Sequence, residues 1–291
     1  QRFILSSSLD FISEVSAYFS QLKSKRQLKS ILKGLQIDEV LAQDILNNQL
    51  SSNTFNALRV ARQVTDIARK TNAKFIVTTY EGHAWERLVF CYAREFNPNI
   101  KCLSYQHAAV FKHQHAIKRP LNKKYNPDVI LTSGLTGKDI FLQGQLQGSK
   151  VSCIGSPKHS DSSLVKDKNQ CCLVIPEVFV RECLSLFDLS IDYAKKNLNQ
   201  KFIWRLHPGM SFDKLKSQSS ILKNFPNNIH LSVGSLDDDI QRCDSVLYRG
   251  STAVVNAINA GLKPIYYEQS SDELSIDPIY THKKGKSIVH N

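Results

Sequence analysis

Several residue patterns that would define a function at once are missing from this 291-residue sequence. It has no run of about 20 uncharged apolar residues, the length needed to cross a bilayer. It has no G-x-G-x-x-G, which argues against a dinucleotide-dependent dehydrogenase. Its seven cysteines are odd in number and lack C-x-x-C spacing, so we expect buried thiols in a reducing, cytoplasmic compartment.

Positive charge is in excess, with a formal net charge of +12 at pH 7. Such a balance favours anionic partners, which include nucleotides, nucleic acids and anionic membranes. Basic residues are concentrated in the stretch "KSKRQLKSILKG", residues 23–34. It predicts a solvated helix with one buried apolar seam. The alternative is a surface for a polyanionic acceptor or for peripheral contact with an anionic inner membrane.

Apolar residues recur at helical spacing in the first 70 residues, which predicts a helical N-terminal segment. The repeating residues are Phe11, Val15, Phe19 and Leu22, then Leu28, Ile31, Leu32 and Leu35, then Val60, Val64, Ile67 and Ala68.

From residue 74 onward, apolar β-prone runs alternate with helical patterns, which is typical of parallel sheets built from βαβ units. The polar stretch 155–170 divides two such series and predicts a linker. We therefore predict an α/β protein with two Rossmann-like domains, residues 1–160 and 161–291, and a cleft between them. The predicted strands are "KFIVTTY", "IKCLSY", "DVILTS", "VSCIG", "CCLVIP", "KFIWRL", "IHLSV", "SVLYR" and "KPIYY".

Open α/β sheets bind ligands beyond the carboxyl ends of their strands, and the end of "SVLYR" suits a phosphate. Gly250, Ser251 and Thr252 open a predicted helix over 252–260 that Gly261 closes. Hydroxyl and backbone N–H groups at the positive end of a helix bind anions. The alternative is that Ser251 only caps the helix.

The strand "KFIWRL" ends on His207-Pro208. Because proline lacks an N–H, it ends the strand ladder and fixes the backbone directly after the histidine. An imidazole at a rigid strand end can donate a hydrogen bond to a departing phosphate oxygen. A structural role for His207 is the alternative.

The strand "KFIVTTY" is followed by Glu81 and Gly82. A carboxylate across a cleft from a phosphate site can take the proton of an attacking hydroxyl. Two alternatives stay open. Glu81 could cap the next helix or pair with Arg87, and Glu86 could be the base instead.

In this order, the three motifs resemble those of bacterial sialyltransferases and polysialyltransferases of the GT-B architecture. That family has an acidic-Gly motif, then a His-Pro motif, then a Ser-Ser/Thr motif. The resemblance implies two Rossmann-like α/β domains whose parallel sheets face each other across a cleft. It also implies an acidic general base, a histidine that supports the nucleotide phosphate, and a hydroxyl pair on the donor.

Two longer segments extend the likeness over roughly residues 74–267. "YEGHAWERLVFCYARE…LSYQHA" resembles bacterial surface-carbohydrate biosynthesis proteins, in which a Gln-His pair follows the next strand; here it is Gln106-His107. "CDSVLYRGSTAVVNAINAGLKPIYY" resembles the donor-binding segment of GT-B transferases, including Kdo transferases. Tyr80 stands where the sialyltransferase motif has a first acidic residue, so the identity of the sugar is open.

The chemistry that the resemblance implies needs donors for the charge that gathers on the departing phosphate. We expect Glu81 and His207 to be the catalytic pair. The donor-binding residues are expected to be Arg205, His207, Pro208, Gly250, Ser251 and Thr252. The residues expected to contact substrate are Gly82, Glu86, Gln106, His107 and Arg249.

Three other patterns are weaker indications. Asp237–Asp239 are more typical of a helix start than of a metal site. His107, His113 and His115 lack an acidic or cysteine partner at zinc-ligand spacing. "SGLTGKD" lacks the glycine spacing and the hydroxyl residue of a phosphate loop. We therefore expect no metal and no cofactor.

The sequence predicts a cytoplasmic glycosyltransferase whose donor is a CMP-activated acidic sugar: sialic, pseudaminic or legionaminic acid, or Kdo. The acceptor would be a hydroxyl of a bacterial surface glycan. The alternatives are a GT-B transferase that uses a UDP-sugar or a CDP-polyol and, from another class, a basic nucleic-acid-binding protein. No nucleic-acid motif or aromatic stacking platform stands out, so nucleic acid is not the expected partner.

Overall fold

The computed structural model describes residues 3–35, 37–144, 146–156, 170–269 and 274–290. The chain forms two compact units, which we call unit 1 (Gln1–His107 with His115–Gly155) and unit 2 (Ala108–Gln114 with Ser156–Asn291). The predicted boundary between residues 160 and 161 lies outside the described residues, as does most of the predicted linker.

Unit 1 contains a four-stranded parallel sheet in the order β1-β2-β3-β4. Buried residues alternate with accessible ones along β2 and β3, as in strands covered mainly on one face. The strands are β1 (Phe75–Thr79), β2 (Lys101–Gln106), β3 (Val129–Thr132) and β4 (Lys150–Cys153). Two helices follow strands of this sheet, α4 (Ala84–Phe96) and α5 (Leu135–Gln143).

The predicted helical N-terminal segment is confirmed. It consists of α1 (Phe11–Gly34), α2 (Glu39–Asn48) and α3 (Ser52–Lys70). Each begins at a residue whose side chain accepts a backbone N–H, namely Asp10, Asp38 and Ser51. This capping is worth about 1 kcal/mol per helix.

The apolar stripe of α1 does not form the buried seam that its spacing indicates. Phe11 is 81% exposed and Phe19 is 64% exposed, whereas the buried residues of α1 are Ala17 and Leu32. In the second stripe, Ile31 is 59% exposed. Periodicity was sufficient to predict the helix, but it does not reveal which of its faces is covered. No helix among the described residues is long and apolar enough to cross a membrane.

Unit 2 contains a six-stranded parallel sheet in the order β10-β9-β8-β5-β6-β7. Its strands are β5 (Cys171–Ile175), β6 (Lys201–Trp204), β7 (Ile229–Leu231), β8 (Ser245–Tyr248), β9 (Lys263–Glu268) and β10 (Ser287–His290). The helices between them are α6 (Val180–Lys196), α7 (Phe212–Gln218), α8 (Leu236–Gln241) and α9 (Val254–Asn259). Strand order reverses between β5 and β8, so this sheet has a topological switch point.

Apolar layers cover both faces of the unit 2 sheet. Side chains of α6 and α7 pack on one face, and those of α8 and α9 pack on the other. Trp204 is fully buried, stacks on Phe187 at 4.1 Å between ring centroids, and donates its indole N–H to Ser190 Oγ at 2.8 Å. The predicted α/β fold with Rossmann-like parallel sheets is confirmed.

A buried ion pair fastens the C-terminal strand to unit 2. Lys286, next to β10, places Nζ 2.6 Å from Asp277 Oδ2, and the two side chains are only 8% and 3% exposed. Asp277 also accepts the hydroxyl of Tyr248, at the end of β8, at 3.1 Å. The pair therefore ties the edge of the sheet to its centre.

Lys286→Met should destabilise unit 2, because it leaves the Asp277 carboxylate buried without its cation. Breaking such a pair from one side costs about 3–5 kcal/mol. Urea unfolding followed by circular dichroism measures the change. Lys284→Met, at an exposed position two residues away, is the matched control. Equal loss of stability in both variants would contradict the assignment.

Candidate functional site

The loop between β1 and α4 is shaped by one buried carboxylate. Glu86 is 0% exposed, and its Oε2 accepts the backbone N–H groups of Gly82 and His83, both at 2.9 Å. It also accepts the N–H of Glu81 at 3.1 Å and the hydroxyl of Thr79 at 2.9 Å. Burial raises the pKa of Glu86, and these hydrogen bonds oppose the rise.

Glu86 is therefore a support for the loop. Its predicted contact with substrate, and the alternative that it is the base, do not fit a carboxylate that is fully enclosed and saturated by loop donors.

Gly82 allows the loop to approach the 3₁₀ turn at His115–Lys118 closely. Its φ is +82°, and a Cβ would lie 2.5 Å from the carbonyl carbon of Ala116. Glycine is required at this position for both reasons. Gly82 thus has a packing role, and its predicted contact with substrate stays a prediction.

Arg87 packs against Tyr80 of the same loop and is only 4% exposed. It donates to Asn126 Oδ1 at 2.5 Å and to the carbonyl of Ala116 at 3.0 Å, and it lies 4.9 Å from the ring centroid of Tyr80. Burial lowers the pKa of Arg87 and raises that of Tyr80 to about 12. These contacts account for Arg87 without the Glu81 pair that was considered as an alternative.

Glu81 lies at the carboxyl end of β1 between two imidazoles. Its Oε2 is 3.1 Å from His83 Nε2, and its Oε1 is 3.4 Å from His107 Nε2. The Glu81 side chain is 32% exposed, so it remains accessible to a ligand. A carboxylate in this setting can accept a proton, and the adjacent imidazoles can hold or pass it on.

The structure thus brings together two predicted residues, Glu81 and His107, and adds His83. The sequence analysis did not single out His83, although it lies two residues after Glu81 and directly before α4. A histidine that follows an acidic strand end at this spacing is the signal that was missed. Among the described residues, no group of three or more His, Cys, Asp or Glu side chains is arranged to hold a metal ion.

Gln106, the last residue of β2, is 4% exposed. Its Oε1 accepts the Ser133 hydroxyl at 3.4 Å and would lie 2.5 Å from a Cβ at Gly137. The residue is enclosed between the end of β3 and α5. Its predicted contact with substrate does not fit this enclosure, whereas His107, next to it in the chain, is partly exposed.

In unit 2, the guanidinium of Arg205 is committed to a structural pair. It lies 2.8 Å from Asp239 Oδ2 and also donates to the carbonyl of Gly234 at 2.9 Å. Asp239 is 1% exposed. All of these contacts are made by Nη1 of Arg205, whose side chain is 25% exposed, and its predicted contact with the donor phosphate stays a prediction. Asp237–Asp239 form the first turn of α8, as predicted.

His207 is exposed at the carboxyl end of β6, and its ring is oriented by the backbone. Its Nδ1 accepts the N–H of Gly209 at 3.1 Å, and the Met210 N–H closes the turn on the His207 carbonyl at 2.8 Å. With Nδ1 an acceptor, the neutral ring carries its proton on Nε2. His207 thus presents a donor, and Pro208 lies in the same tight turn.

Gly250, Ser251 and Thr252 form a turn between β8 and α9. The helix begins at Val254, two residues later than predicted, and no side chain caps it. Ser251 is half-buried and Thr252 is exposed, whereas Gly250 is buried. The hydroxyls of Ser251 and Thr252 are therefore not used as caps of α9, and the capping alternative for Ser251 does not hold.

A cavity of about 380 Å³ opens within unit 2 at the carboxyl ends of β5, β8 and β9. Four charged residues line it, Glu177, Arg181, Glu182 and Arg249, together with Phe111, Phe179, Gln269 and Ile276. Burial raises the pKa of Glu177, the nearby charge of Glu182 adds to the rise, and Arg249 opposes it. Of these residues, the sequence analysis had named only Arg249.

The two Rossmann-like parallel sheets define an α/β protein of the GT-B fold. No protein-family model matches the chain, and no curated protein matches it.

Solved structures of similar fold include the UDP-GlcNAc 2-epimerase of Methanocaldococcus jannaschii in complex with UDP-GlcNAc and UDP. It has 12% identity and a TM-score of 0.53 over 90% of this chain and 84% of the epimerase. TarM has 12% identity and a TM-score of 0.51 over 81% of this chain and 48% of TarM, so the match spans about half the length of TarM. The glycotransferase of kitacinnamycin has 10% identity and a TM-score of 0.52 over 88% and 71% of the two chains.

Glu86→Gln should destabilise unit 1, because an amide offers one acceptor oxygen where the carboxylate serves four donors. Leaving buried donors unsatisfied costs about 1–3 kcal/mol. Urea unfolding measures the loss. Glu39→Gln, on an exposed turn of α2, is the control. A variant as stable as wild type would show that Glu86 does not hold the loop.

Proposed function

We propose that the protein is a glycosyltransferase that moves a sugar from a nucleotide-sugar donor to a hydroxyl of a glycan acceptor. The observation that carries the proposal is the accessible carboxylate of Glu81 between the imidazoles of His83 and His107. It lies at the carboxyl end of a parallel strand in a chain of GT-B fold, which is where such sheets bind their ligands.

On the acceptor side, Glu81 takes the proton of the attacking hydroxyl as the new glycosidic bond forms. General-base catalysis of this kind contributes about 10²- to 10⁴-fold to the rate. Glu86 keeps the loop in place, so the orientation of Glu81 is fixed before the substrate arrives. His83 and His107 flank the carboxylate and orient it.

On the donor side, negative charge develops on the phosphate as the bond to the sugar breaks. The Nε2–H of His207 and the hydroxyls of Ser251 and Thr252 supply hydrogen bonds to that charge. Gly250 and Pro208 shape the two turns that carry these donors. Arg249 adds positive charge at the end of β8.

For the donor we favour a UDP-sugar over the CMP-activated acidic sugar that the motif series implies. The similar epimerase structure contains UDP-GlcNAc and UDP. In addition, the positive charge expected from Arg205 is paired with Asp239, and the cavity at the end of β5 is lined by two acidic residues, Glu177 and Glu182, and two basic ones, Arg181 and Arg249. An acidic sugar favours an excess of positive charge, which this lining does not have.

We also propose that transfer is independent of metal and cofactor and takes place in the cytoplasm. All seven cysteines are free thiols, and six of them are buried, which suits a reducing compartment.

Glu81→Gln should lower turnover by about 10²-fold or more while leaving nucleotide affinity unchanged, because it removes only the proton acceptor.

His207→Ala should weaken nucleotide binding by about tenfold or more and lower turnover as well, because a hydrogen bond to a charged group is worth about 1.5–3 kcal/mol. Release of free nucleotide from the donor measures turnover. Thermal shift with CMP, CDP, UDP and GDP measures binding, since ligand at 100 times its Kd adds about 2.7 kcal/mol of stability.

Glu39→Gln and His230→Ala, both at exposed positions, control for the two substitutions. Wild-type turnover by Glu81→Gln would remove Glu81 as the base. A thermal shift with none of the four nucleotides would contradict a nucleotide-sugar donor.

We propose further that α1 contacts an anionic membrane peripherally. Its exposed face is apolar in the first half of the helix, where Phe11, Ile12 and Phe19 are 81%, 79% and 64% exposed. Each residue turns the helix by about 100°, and by this count the same side of α1 is basic in the second half of the helix. The exposed basic residues are Lys23, Arg26, Lys29 and Lys33. Apolar side chains that enter the lipid interface and cations that meet anionic headgroups account for both halves.

The double variant Arg26→Ala/Lys29→Ala should bind phosphatidylglycerol vesicles about 30-fold more weakly than wild type, since each cation near the surface contributes about 1 kcal/mol. Phe11→Ser/Phe19→Ser should also weaken binding. Co-sedimentation with vesicles of phosphatidylcholine, with and without phosphatidylglycerol, measures affinity, and Leu198→Ser in unit 2 is the control. Equal binding of wild type to both vesicle types would contradict the proposal. So would a change of oligomeric state without a change of vesicle binding in either of the two α1 double variants.

A further inference from the structure

The loop after the first strand of unit 2 repeats the arrangement found after the first strand of unit 1. Glu81 and Glu177 each lie two residues beyond the last residue of their strand, β1 and β5. In each case a second glutamate follows five residues later, as the third residue of the next helix, α4 or α6.

The second glutamate of each pair accepts the backbone N–H of the first. Glu182 is 4% exposed, and its Oε1 accepts the N–H of Glu177 at 3.1 Å, just as Glu86 accepts the N–H of Glu81. Glu182 also accepts the N–H of Gly250 at 3.4 Å. A single carboxylate therefore joins the loop after β5 to the loop after β8, and Glu177 is held by the same kind of backbone contact as its counterpart in unit 1.

Gly250 makes room for the Glu177 side chain. A Cβ at residue 250 would lie 2.8 Å from Glu177 Cδ and 2.9 Å from its Oε1. The carboxylate thus rests directly on the backbone of the turn that precedes Ser251. This position is the switch point of the sheet, where the connections that follow the paired strands β5 and β8 run in opposite directions and open α/β sheets bind their ligands.

The cavity at this point combines charged groups with apolar surfaces. Phe179, which is 64% exposed, lines it together with Phe111 and Ile276. Its polar groups are Glu177, Glu182, Arg181, Arg249 and Gln269. Carboxylate oxygens only accept hydrogen bonds, so their natural partners are hydroxyl or N–H donors. An apolar lining with a few fixed polar groups is the usual design of a small-molecule site.

We propose that Glu177 is a specificity-determining residue that accepts hydrogen bonds from the hydroxyls of a neutral ring of the donor, either the ribose or the transferred sugar. This inference rests on the proposed function and deepens it. A ring carboxylate in place of a hydroxyl at this contact would face Glu177 with like charge and lose the hydrogen bond, so the contact with Glu177 favours neutral rings. Glu182 is the positioning residue of this subsite.

Isothermal titration calorimetry with two pairs of probes tests the proposal on the full chain. UDP and 2′,3′-dideoxy-UDP differ only in the ribose hydroxyls, and UDP-glucose and UDP-glucuronic acid differ only at C6 of the sugar, a hydroxymethyl group in one and a carboxylate in the other. Wild type should prefer the first member of one pair by at least about tenfold, the factor that a 1.4 kcal/mol contact gives. The pair that shows the preference identifies the ring.

Glu177→Ala should reduce that preference to less than about threefold, and Glu177→Gln, which preserves shape, should reduce it in the same direction. Glu182→Gln should also lower the preference, which a purely structural role would leave intact. Asp192→Asn removes the same charge from an exposed position of α6, three turns beyond Glu182, and should change nothing.

An unchanged preference in both Glu177 variants would overturn the inference and leave the transferase proposal standing. Tighter binding of CMP-activated sialic acid than of UDP-GlcNAc by wild type would do the same. Failure of every nucleotide and nucleotide sugar to bind wild type would overturn the proposed function together with the inference.

Discussion

In each unit, the loop after the first strand is held by a buried glutamate five residues beyond the loop glutamate whose N–H it accepts. Neither Glu86 nor Glu182 could be buried alone at reasonable cost, since an ionised carboxylate requires donors in place of water. The loop N–H groups supply them, so the carboxylate and the loop stabilise each other. The arrangement of side chains at the strand ends depends on these hydrogen bonds, because they fix where Glu81 and Glu177 point.

The two loops differ in what surrounds the accessible glutamate. Glu81 lies between the imidazoles of His83 and His107, a setting suited to moving a proton. Glu177 lies beside Glu182, Arg181, Arg249 and aromatic rings in a cavity, a setting suited to hydrogen bonds with hydroxyls. In the roles proposed for Glu81 and Glu177, the same backbone arrangement supports two chemistries, and the residues around the carboxylate decide between them.

The sequence was sufficient to predict the parallel sheets, because buried central strands such as β5 are continuous apolar runs. It did not reveal β10, a four-residue strand at the sheet edge with little burial, or α5, which follows Gly134 and has no side-chain cap. The candidate site was predicted from polar residues that follow strands, and this succeeded in bringing Glu81 and His107 together. It did not foresee the Arg205–Asp239 pair, whose members are 34 residues apart in sequence. It also missed Glu177, because its equivalence to Glu81 is visible only once the strand and helix boundaries are known.

The distribution of the two tryptophans offers a separate optical probe for each half of the molecule. Trp85 is partly exposed in the first turn of α4, beside the Glu81 loop, whereas Trp204 is enclosed and stacked on Phe187. Indole emission shifts to longer wavelength in water, so the two residues should emit at different wavelengths in the native chain. Replacing either one with phenylalanine isolates the signal of the other, which allows denaturation of the two units to be followed independently in a single polypeptide.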